Sequence, residues 1–403
     1  MKYIGIDLGS TYTKAALFGE EGIITSLSVH SPEPVLSGIR HETDADEYAS
    51  QVISLLEELR CPDVRGILIS TQMHGYILSD RRFRPLSRYV SWQDRAAERW
   101  LSAFRDDYGA DAVAKSGVPW KTNLALSALL ARRCEGEMPP ENALFNTLGG
   151  YMIGRLTGEH VCHMTNAAPS GMADVRAGSW NTDLITGTGM DCLIFPKTVT
   201  GLEPCGSWHG IPVYPDIGDQ QMCAAGAELT RDKTLHISIG TAGLIGMLTE
   251  EWGTGAYENR PWITPGVYLR TVSGLPGGRH LTLFARNIAA MARQLTGQEV
   301  STEQALAYLS VCGGVPVPGA DALWQASAGD EHTFVQNLYE SFAAAYEIAA
   351  KRFGLPVEEL SFSGGCAAKN GALRQRVVSH FARPAVQGDH DVWRGMRKIA
   401  YSV

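Results

Sequence analysis

One short pattern occurs once in each half of this chain. Ile6-Asp7-Leu8-Gly9-Ser10 and Ile237-Ser238-Ile239-Gly240-Thr241 each run an alternating apolar segment into Gly-Ser/Thr, and Ser238 stands 231 positions after Asp7. A second apolar run follows each copy, Lys14–Phe18 in the first and Leu244–Leu248 in the second. Alternation predicts a strand and the glycine a tight turn, so each half should open with a β-hairpin. Two such hairpins so far apart point to two related units, each with its own sheet. The copies differ at one position of chemical weight: Asp7 in the first is Ser238 in the second.

A chain of 403 residues is long for one hydrophobic core and suits two domains, divided here at 1–232 and 233–403. In the first, strands are predicted over Tyr3–Ile6, Lys14–Phe18, Ile23–Val29 and Gly66–Ser70. The recurrence of Val52, Leu55, Leu56 and Leu59 predicts a helix over Asp44–Leu59, with others near 94–107, 123–133 and 144–156. A polar, Gly-rich stretch then runs to about 230. In the second, strands at Leu235–Ile239 and Leu360–Ser363 frame helices near 280–296, 301–311 and 331–353. Strands alternating with helices in both halves predict an α/β fold.

With 44% hydrophobic and 19% charged residues, the chain can bury a large core. A net charge of −8, with no Lys/Arg run, argues against a nucleic-acid footprint. Phosphate binding stays open, because backbone amides at turns and helix N-termini hold phosphate without a basic surface. No apolar run reaches the roughly 18 residues of a membrane span, and the first ten residues predict a strand rather than a secretory leader. Eight scattered cysteines without a C-x-x-C pair predict reduced thiols in a cytoplasmic protein. A metal here would be a hard ion on oxygen ligands.

The first hairpin, Asp7 to Lys14, has the means to hold a terminal phosphate. Gly9 permits the turn, and the amides and hydroxyls beyond it point past the strand end, where Asp7 can hold Mg²⁺. The Gly-Lys-Ser/Thr of a Walker A loop is absent, and the plain alternative is an ordinary hairpin. Gly240-Thr241-Ala242-Gly243 would face it across a cleft, with the same plain alternative. Ser361 to Asn370 reads as a strand, a Gly364-Gly365 turn and a helix start, where a flat base or ribose could lie on the backbone. Packing alone also explains such a turn. Asp216-Ile217-Gly218-Asp219-Gln220-Gln221 is expected in a loop before an Ala-rich helix over Met222–Leu229. Asp219 is then either a helix cap or a general base for a hydroxyl attacking phosphorus. Ser70-Thr71-Gln72-Met73-His74-Gly75 and Ser91-Trp92-Gln93-Asp94-Arg95 mix groups that suit hydroxyl recognition, although His74 and Trp92 also fit a core.

Seven stretches, taken in order, resemble the FGGY family of carbohydrate kinases in the actin-like ATPase superfamily. They are G-I-D-L-G-S-T from Gly5, Q-M-H-G from Gln72, W-Q-D-R from Trp92, T-N-A-A-P-S-G from Thr165, G-D-Q-Q from Gly218, I-S-I-G-T-A from Ile237 and S-G-G-C-A-A-K-N from Ser363. The resemblance runs from Ile4 to about Val378. It implies two actin-like (ribonuclease H-like) lobes with the active site in a central cleft, ATP and Mg²⁺ as cofactors, and a small sugar as substrate. It puts Asp7 at the metal and Thr11, Tyr12 and Thr13 near the transferred phosphate. Gly240 and Thr241 would meet the other phosphates, and Gly364, Gly365 and Asn370 the adenine. Asp219 would be the catalytic base, and Gln72, Met73, His74, Trp92, Asp94, Asp219 and Gln220 would hold the sugar. The Q-M-H-G form looks like the ketose kinases of xylulose and sedoheptulose, and Leu275-Pro276-Gly277-Gly278 leans to the latter. Trp92–Arg95 and Gly218–Gln221 look like glycerol kinase as well.

The chain departs from the family in places. It is shorter than most members, with the loss near 312–335. His163-Met164-Thr165 stands where the family often has an acid in the loop before 165, and Pro169 is unusual. The tail from Gly388 to Gly395 keeps the usual spacing without the usual small residues. Three expectations stay open: a ketose kinase, a polyol kinase such as one for glycerol, and a catalytically silent sugar-binding relative. An iron–sulfur activator fails for lack of clustered cysteines. Neither nucleic acid nor membrane is expected as a partner, and a monomer and a homodimer both fit.

Overall fold

The alternating run at the start folds as its pattern predicts: Ile4, Ile6 and Leu8 of strand β1 (Lys2–Leu8) are fully buried. The computed structural model in which this is seen describes residues 1–227, 229, 233–297, 299–310, 331–387 and 392–402. Gly9 turns the chain back into β2 (Tyr12–Phe18), which pairs antiparallel with β1 and with β3 (Ile23–His30). Helix α1 (Ala45–Leu59) follows, started by Asp44, whose Oδ1 accepts from the Asp46 and Glu47 amides at 2.9 and 3.0 Å. It buries Tyr48, Val52, Leu55, Leu56 and Leu59, the face its periodicity predicts. β4 (Val64–Thr71) lies parallel to β1. After a long insertion come β5 (Gly206–Trp208) and β6 (Ile211–Gly218), and the sheet order is β5-β6-β4-β1-β2-β3.

The second half repeats the plan. β7 (Thr234–Ile239) and β8 (Gly243–Thr249) form the second hairpin, extended by β9 (Glu258–Pro261) and β10 (Tyr268–Leu275). β11 (Glu359–Ser363) and β12 (Ala385–Gln387) lie parallel on the other side of β7, in the order β9-β10-β8-β7-β11-β12. Matching β1, β2, β3, β4 and β6 to β7, β8, β10, β11 and β12 preserves every neighbour and every direction. The register also repeats at the strand ends. Asp7 sits opposite Ser70 on β4, and Ser238 opposite Ser363 on β11.

Each sheet is covered by helices over its own core. Helix α2 (Leu148–Thr157) packs on the first, where Ile4, Ile6, Leu56, Ile69, Tyr151 and Val213 meet. Helix α3 (Asp219–Gly226) follows β6 without a loop. Helices α4 (Gly278–Thr296), α5 (Glu331–Lys351), α6 (Gly365–Lys369) and α7 (Gly371–Phe381) belong to the second half. Ile237, Ile245, Phe342, Tyr346, Leu360 and Leu373 form the core there. The last helix, α8 (Val392–Ser402), crosses back: Met396 and Ile399 pack with Tyr3, Leu68 and Met222 of the first lobe. A single cut at 232/233 does not describe that packing.

The structure corrects several expectations. Of Asp216–Gln221, expected in a loop, the first three residues end the strand β6 and the last three open helix α3. Pro212 and Pro215 disguise the strand, and its ladder with β4 is irregular between Val213 and Asp216. The helix expected at 144–156 begins as a strand, Leu144–Asn146, and starts only after Thr147 caps it. Helical structure near 94–107 runs on to Ser116. β9, β10 and β12 were not expected at all. Most of the shortened stretch near 312–335, and Gly388–Asp391 of the tail, lie outside the described residues.

Gly395 is where α8 seats. A Cβ there would lie 2.0 Å from the Met222 carbonyl oxygen, a backbone atom that cannot step aside. Gly395→Ala is expected to lower stability by about 1–3 kcal/mol, read as a fall in the urea midpoint.

Candidate active site

Parallel strands β1, β4 and β6 end side by side, and that edge gathers the chemistry. Asp7 is the penultimate residue of β1 and accepts from Ser70 Oγ at 3.1 Å. Asp219 opens α3 directly after β6, with the Gln220 amide on its Oδ1 at 2.8 Å. Burial and then the repulsion of Asp7 push the Asp219 carboxyl up to about 6, against the pull of that amide and of Arg260. Two half-buried carboxylates that repel one another are what a hard cation relieves. No group of three or more His, Cys, Asp or Glu among the described residues could hold a metal. An ion would therefore rest on Asp7 with nucleotide oxygens and water, an arrangement that suits Mg²⁺.

The hairpins differ in what they offer. Ser10, Thr11 and Tyr12 are exposed at the first turn, closed by the Gly9 amide on the Tyr12 carbonyl at 3.1 Å. Thr13 is fully buried, its hydroxyl 3.3 Å from Ser31 Oγ. The second turn is tied to the start of α4, where the Gly278 and Arg279 amides donate to the Gly240 and Thr241 carbonyls at 2.8 and 2.9 Å.

Beside that turn lies a cavity of 680 Å³, lined by Gly240, Thr241, Gly365 and Asn370 together with Arg279, Arg286 and Lys369. No Asp or Glu among the described residues lines it, so it suits a polyanion. Gly364 has a different duty: at φ +88° its missing Cβ lets β11 approach the Ile239 carbonyl, which a Cβ would meet at 2.5 Å. Asn370 is 2% exposed, caps α7 through the Leu373 amide at 3.0 Å and donates to the Tyr339 hydroxyl at 2.8 Å. The three cations were missed in the sequence, where only the glycine pattern marked this site.

The residues expected to hold a sugar divide likewise. His74, at φ 76°, places Nδ1 3.1 Å from the Pro169 carbonyl, and burial with the nearby Arg260 holds the ring's pKa down at about 3. The ring is neutral, and a carbonyl only accepts, so Nδ1 carries the proton and Nε2 is left as an acceptor. Met73 lies against Arg260, Sδ to Nη1 at 3.7 Å. Trp92 is 40% exposed. Gln72 braces the first hairpin, its Nε2 on the Gly9 carbonyl at 3.2 Å and on the Tyr48 hydroxyl at 3.1 Å. Both carboxylate oxygens of Asp94 accept backbone amides, from His41 at 2.9 Å and Ala96 at 3.0 Å. Asp219 and Gln220 face His236, Ser238 and Ser363 of the second sheet across a cavity of 280 Å³.

Two buried groups join these parts. The stretch His163–Thr165 lacks the acid common in the resembled family, yet a carboxylate is there, brought in from β6 by Asp216. It accepts from the His163 amide at 2.8 Å, Asn166 Nδ2 at 2.8 Å and Thr147 Oγ1 at 3.2 Å. Burial outweighs these donors and pushes its carboxyl up to about 7. Across the lobes, Glu258 on β9 pairs with Lys121 and with Arg260. Burial alone would push Glu258 up, but the two cations hold it down at about 2. Gln221 Nε2 adds a bond to the Pro261 carbonyl at 3.1 Å.

Residues 2–225 match the N-terminal domain of the FGGY family of carbohydrate kinases. This chain belongs to that family. It is 26% identical over 249 residues to a glycerol kinase of Methylobacterium radiotolerans, covering 56% of this chain and 50% of the relative. Over 273 residues it is 24% identical to a xylulose kinase of Klebsiella pneumoniae, covering 62% of this chain and 54% of the relative. The chain spans about half the length of the curated relatives it matches. Solved structures show the fold across nearly all of it. A xylulose kinase from Rhodospirillum rubrum superposes with a TM-score of 0.81 at 16% identity, covering 98% of this chain and 88% of the other. Plasmodium falciparum glycerol kinase with ADP gives 0.76 at 17% identity, with the same coverage. The two-lobed, actin-like α/β fold of FGGY kinases is therefore the fold of this chain.

Asp216 sets up a test within this FGGY framework. Asp216→Asn turns one acceptor into a donor facing other donors, at a cost of about 1–3 kcal/mol. Because its folded pKa of about 7 lies above the unfolded value near 4, the group's contribution is greatest at low pH and declines as pH rises through about 7. Urea unfolding across this range is expected to show that decline, and the variant to lack that part of it.

Proposed function

We propose that this chain transfers the terminal phosphoryl group of ATP to a hydroxyl of a small sugar, a ketose such as sedoheptulose or xylulose. One observation carries the reading: Asp219, its carboxyl raised to about 6, stands beside Asp7 at the mouth of a cleft built from both lobes. A carboxylate near that pKa is mostly ionised at neutral pH and still basic enough to take a hydroxyl proton. Asp219 accepts the proton from the attacking hydroxyl and aligns it. His74 Nε2 and Gln220 orient the sugar, with Trp92 against its C–H face. The exposed turns at Ser10–Thr11 and Gly240–Thr241, with Arg279, Arg286 and Lys369, bind the nucleotide. When bound, Mg²⁺ near Asp7 neutralises charge on the phosphate oxygens. Lobe closure over the cleft excludes water that would otherwise take the phosphoryl group.

A polyol kinase is the second reading, favoured by relatives named glycerol kinase. A cytoplasmic setting suits the seven free cysteines among the described residues, and no helix there is long and apolar enough to cross a membrane.

ADP release from MgATP, measured against a panel of ketoses and polyols, tests the proposal. Acceptor-dependent release is expected, largest with a ketose, and Asp219→Asn should lower kcat by about a hundred- to ten-thousandfold. With the unaltered protein, kcat/KM should fall as pH drops through about 6, since the protonated carboxyl cannot accept a proton. ATP binding without stimulation by any acceptor would instead mark a silent sugar-binding relative.

A further inference from the structure

The strand that delivers Asp219 is held at its end by side chains rather than by a second neighbouring strand. β5 pairs with β6 only as far as Val213, while β6 runs on to Gly218. The ladder with β4 on the other flank is irregular between Val213 and Asp216. The stretch His163–Asn166 takes up the end that β5 leaves. Asn166 Nδ2 donates to the Asp216 carbonyl at 3.1 Å, and the Gly218 amide donates to Thr165 Oγ1 at 3.1 Å. Gly218 is the residue directly before Asp219.

The donors and acceptors run in one consistent direction. The Thr165 amide can only donate, and it lies 3.2 Å from His163 Nδ1, so that nitrogen accepts. The Thr165 hydroxyl accepts from the Gly218 amide and donates its own proton to the same nitrogen at 2.9 Å. From the strand side the Asp216 carboxylate accepts from the His163 amide, Asn166 Nδ2 and Thr147 Oγ1. Thr147 Oγ1 in turn accepts from the Gly150 amide at 3.1 Å, at the start of α2. A Cβ on Gly149 there would lie 2.3 Å from the Asp216 Cβ, so the helix is seated against the carboxylate.

His163, Thr165, Asn166 and Asp216 are each at most 2% exposed, and none of the four lines the cavity in which Asp219 faces the second sheet. They cannot act by touching a ligand there. Buried hydrogen bonds add little net stability over apolar packing, but their narrow range of length and angle fixes position. Position matters at this place, since a misplacement of about 1 Å in a reacting group can cost about a hundredfold in rate.

We propose that Thr165, Asn166, His163 and Asp216 are positioning residues that fix the backbone at Gly218, and with it the Asp219 carboxylate, against the attacking hydroxyl. The inference rests on the kinase reading above.

Thr165→Val removes the acceptor of the Gly218 amide, Thr165→Ser keeps it, and Asn166→Ala frees the Asp216 carbonyl. In the folded protein, Thr165→Val and Asn166→Ala should each lower kcat about ten- to hundredfold. KM for ATP should stay within about twofold, and Thr165→Ser should retain most of kcat. Because the effect runs through Asp219, Thr165→Val should cost little further in the Asp219→Asn background. An undiminished kcat in the folded variants, or the same fold-loss with and without the Asp219 carboxylate, overturns the proposal. Should Thr165→Val not fold, Asn166→Ala carries the same comparison. Should the unaltered protein phosphorylate no acceptor, the kinase reading fails first and separately. Hydrogen exchange at the amides of Gly218–Gln221 then decides: exchange faster in T165V or N166A than in the unaltered protein and T165S supports the positioning role, and equal exchange overturns it.

Discussion

The repulsion between Asp7 and Asp219 is the interaction around which the rest of the molecule is arranged. Three parallel strands that end together bring two carboxylates to one edge, and burial denies them the water that would screen them. Burial first, and then the repulsion of Asp7, raise the Asp219 carboxyl. Hydrogen bonds from Ser70 and the Gln220 amide hold the pair in place without removing its charge. A pair of this kind gains from a cation held against it.

Duplication supplies the frame and one substitution gives the halves different work. Both sheets share strand order and direction, and both end in a glycine hairpin. Where the first carries Asp7 the second carries Ser238, and the cations Arg279, Arg286 and Lys369 line the second lobe's cavity. The carboxylate pair thus lies on the first lobe and these three cations on the second. Lys121, Glu258 and Arg260 span the two lobes, joined by the bond from Gln221 to Pro261. Burial first, and then the positive charge of Arg260, keep the His74 imidazole neutral. The contacts between the lobes and the electrostatics around His74 therefore share Arg260.

Much of this was legible in the sequence because it depends on local pattern. The two hairpins, α1 with its Asp44 cap, and the strand that ends at Gly364 follow from periodicity and from glycine at turns. The strand β6 was hidden because two prolines interrupt its pattern, and strand identity there comes from its place between β4 and β5 rather than from propensity. Side-chain duties were harder still. Gln72 and Asp94 sit in stretches that resemble a binding loop, but tertiary partners, the Gly9 carbonyl for one and two backbone amides for the other, claim the Gln72 amide nitrogen and both Asp94 oxygens. Asp216, Arg260 and Lys121 carry no local signature, since each matters only through residues far away in sequence.

Calorimetric titration of ATP into the protein and into Asp7→Asn, each with and without Mg²⁺, reaches the central arrangement most directly. If Asp7 anchors a metal that joins the lobes through the nucleotide, Mg²⁺ tightens ATP binding to the unaltered protein, and Asp7→Asn still binds ATP but loses that gain. An equal gain from Mg²⁺ in both proteins, or none in either, would contradict it.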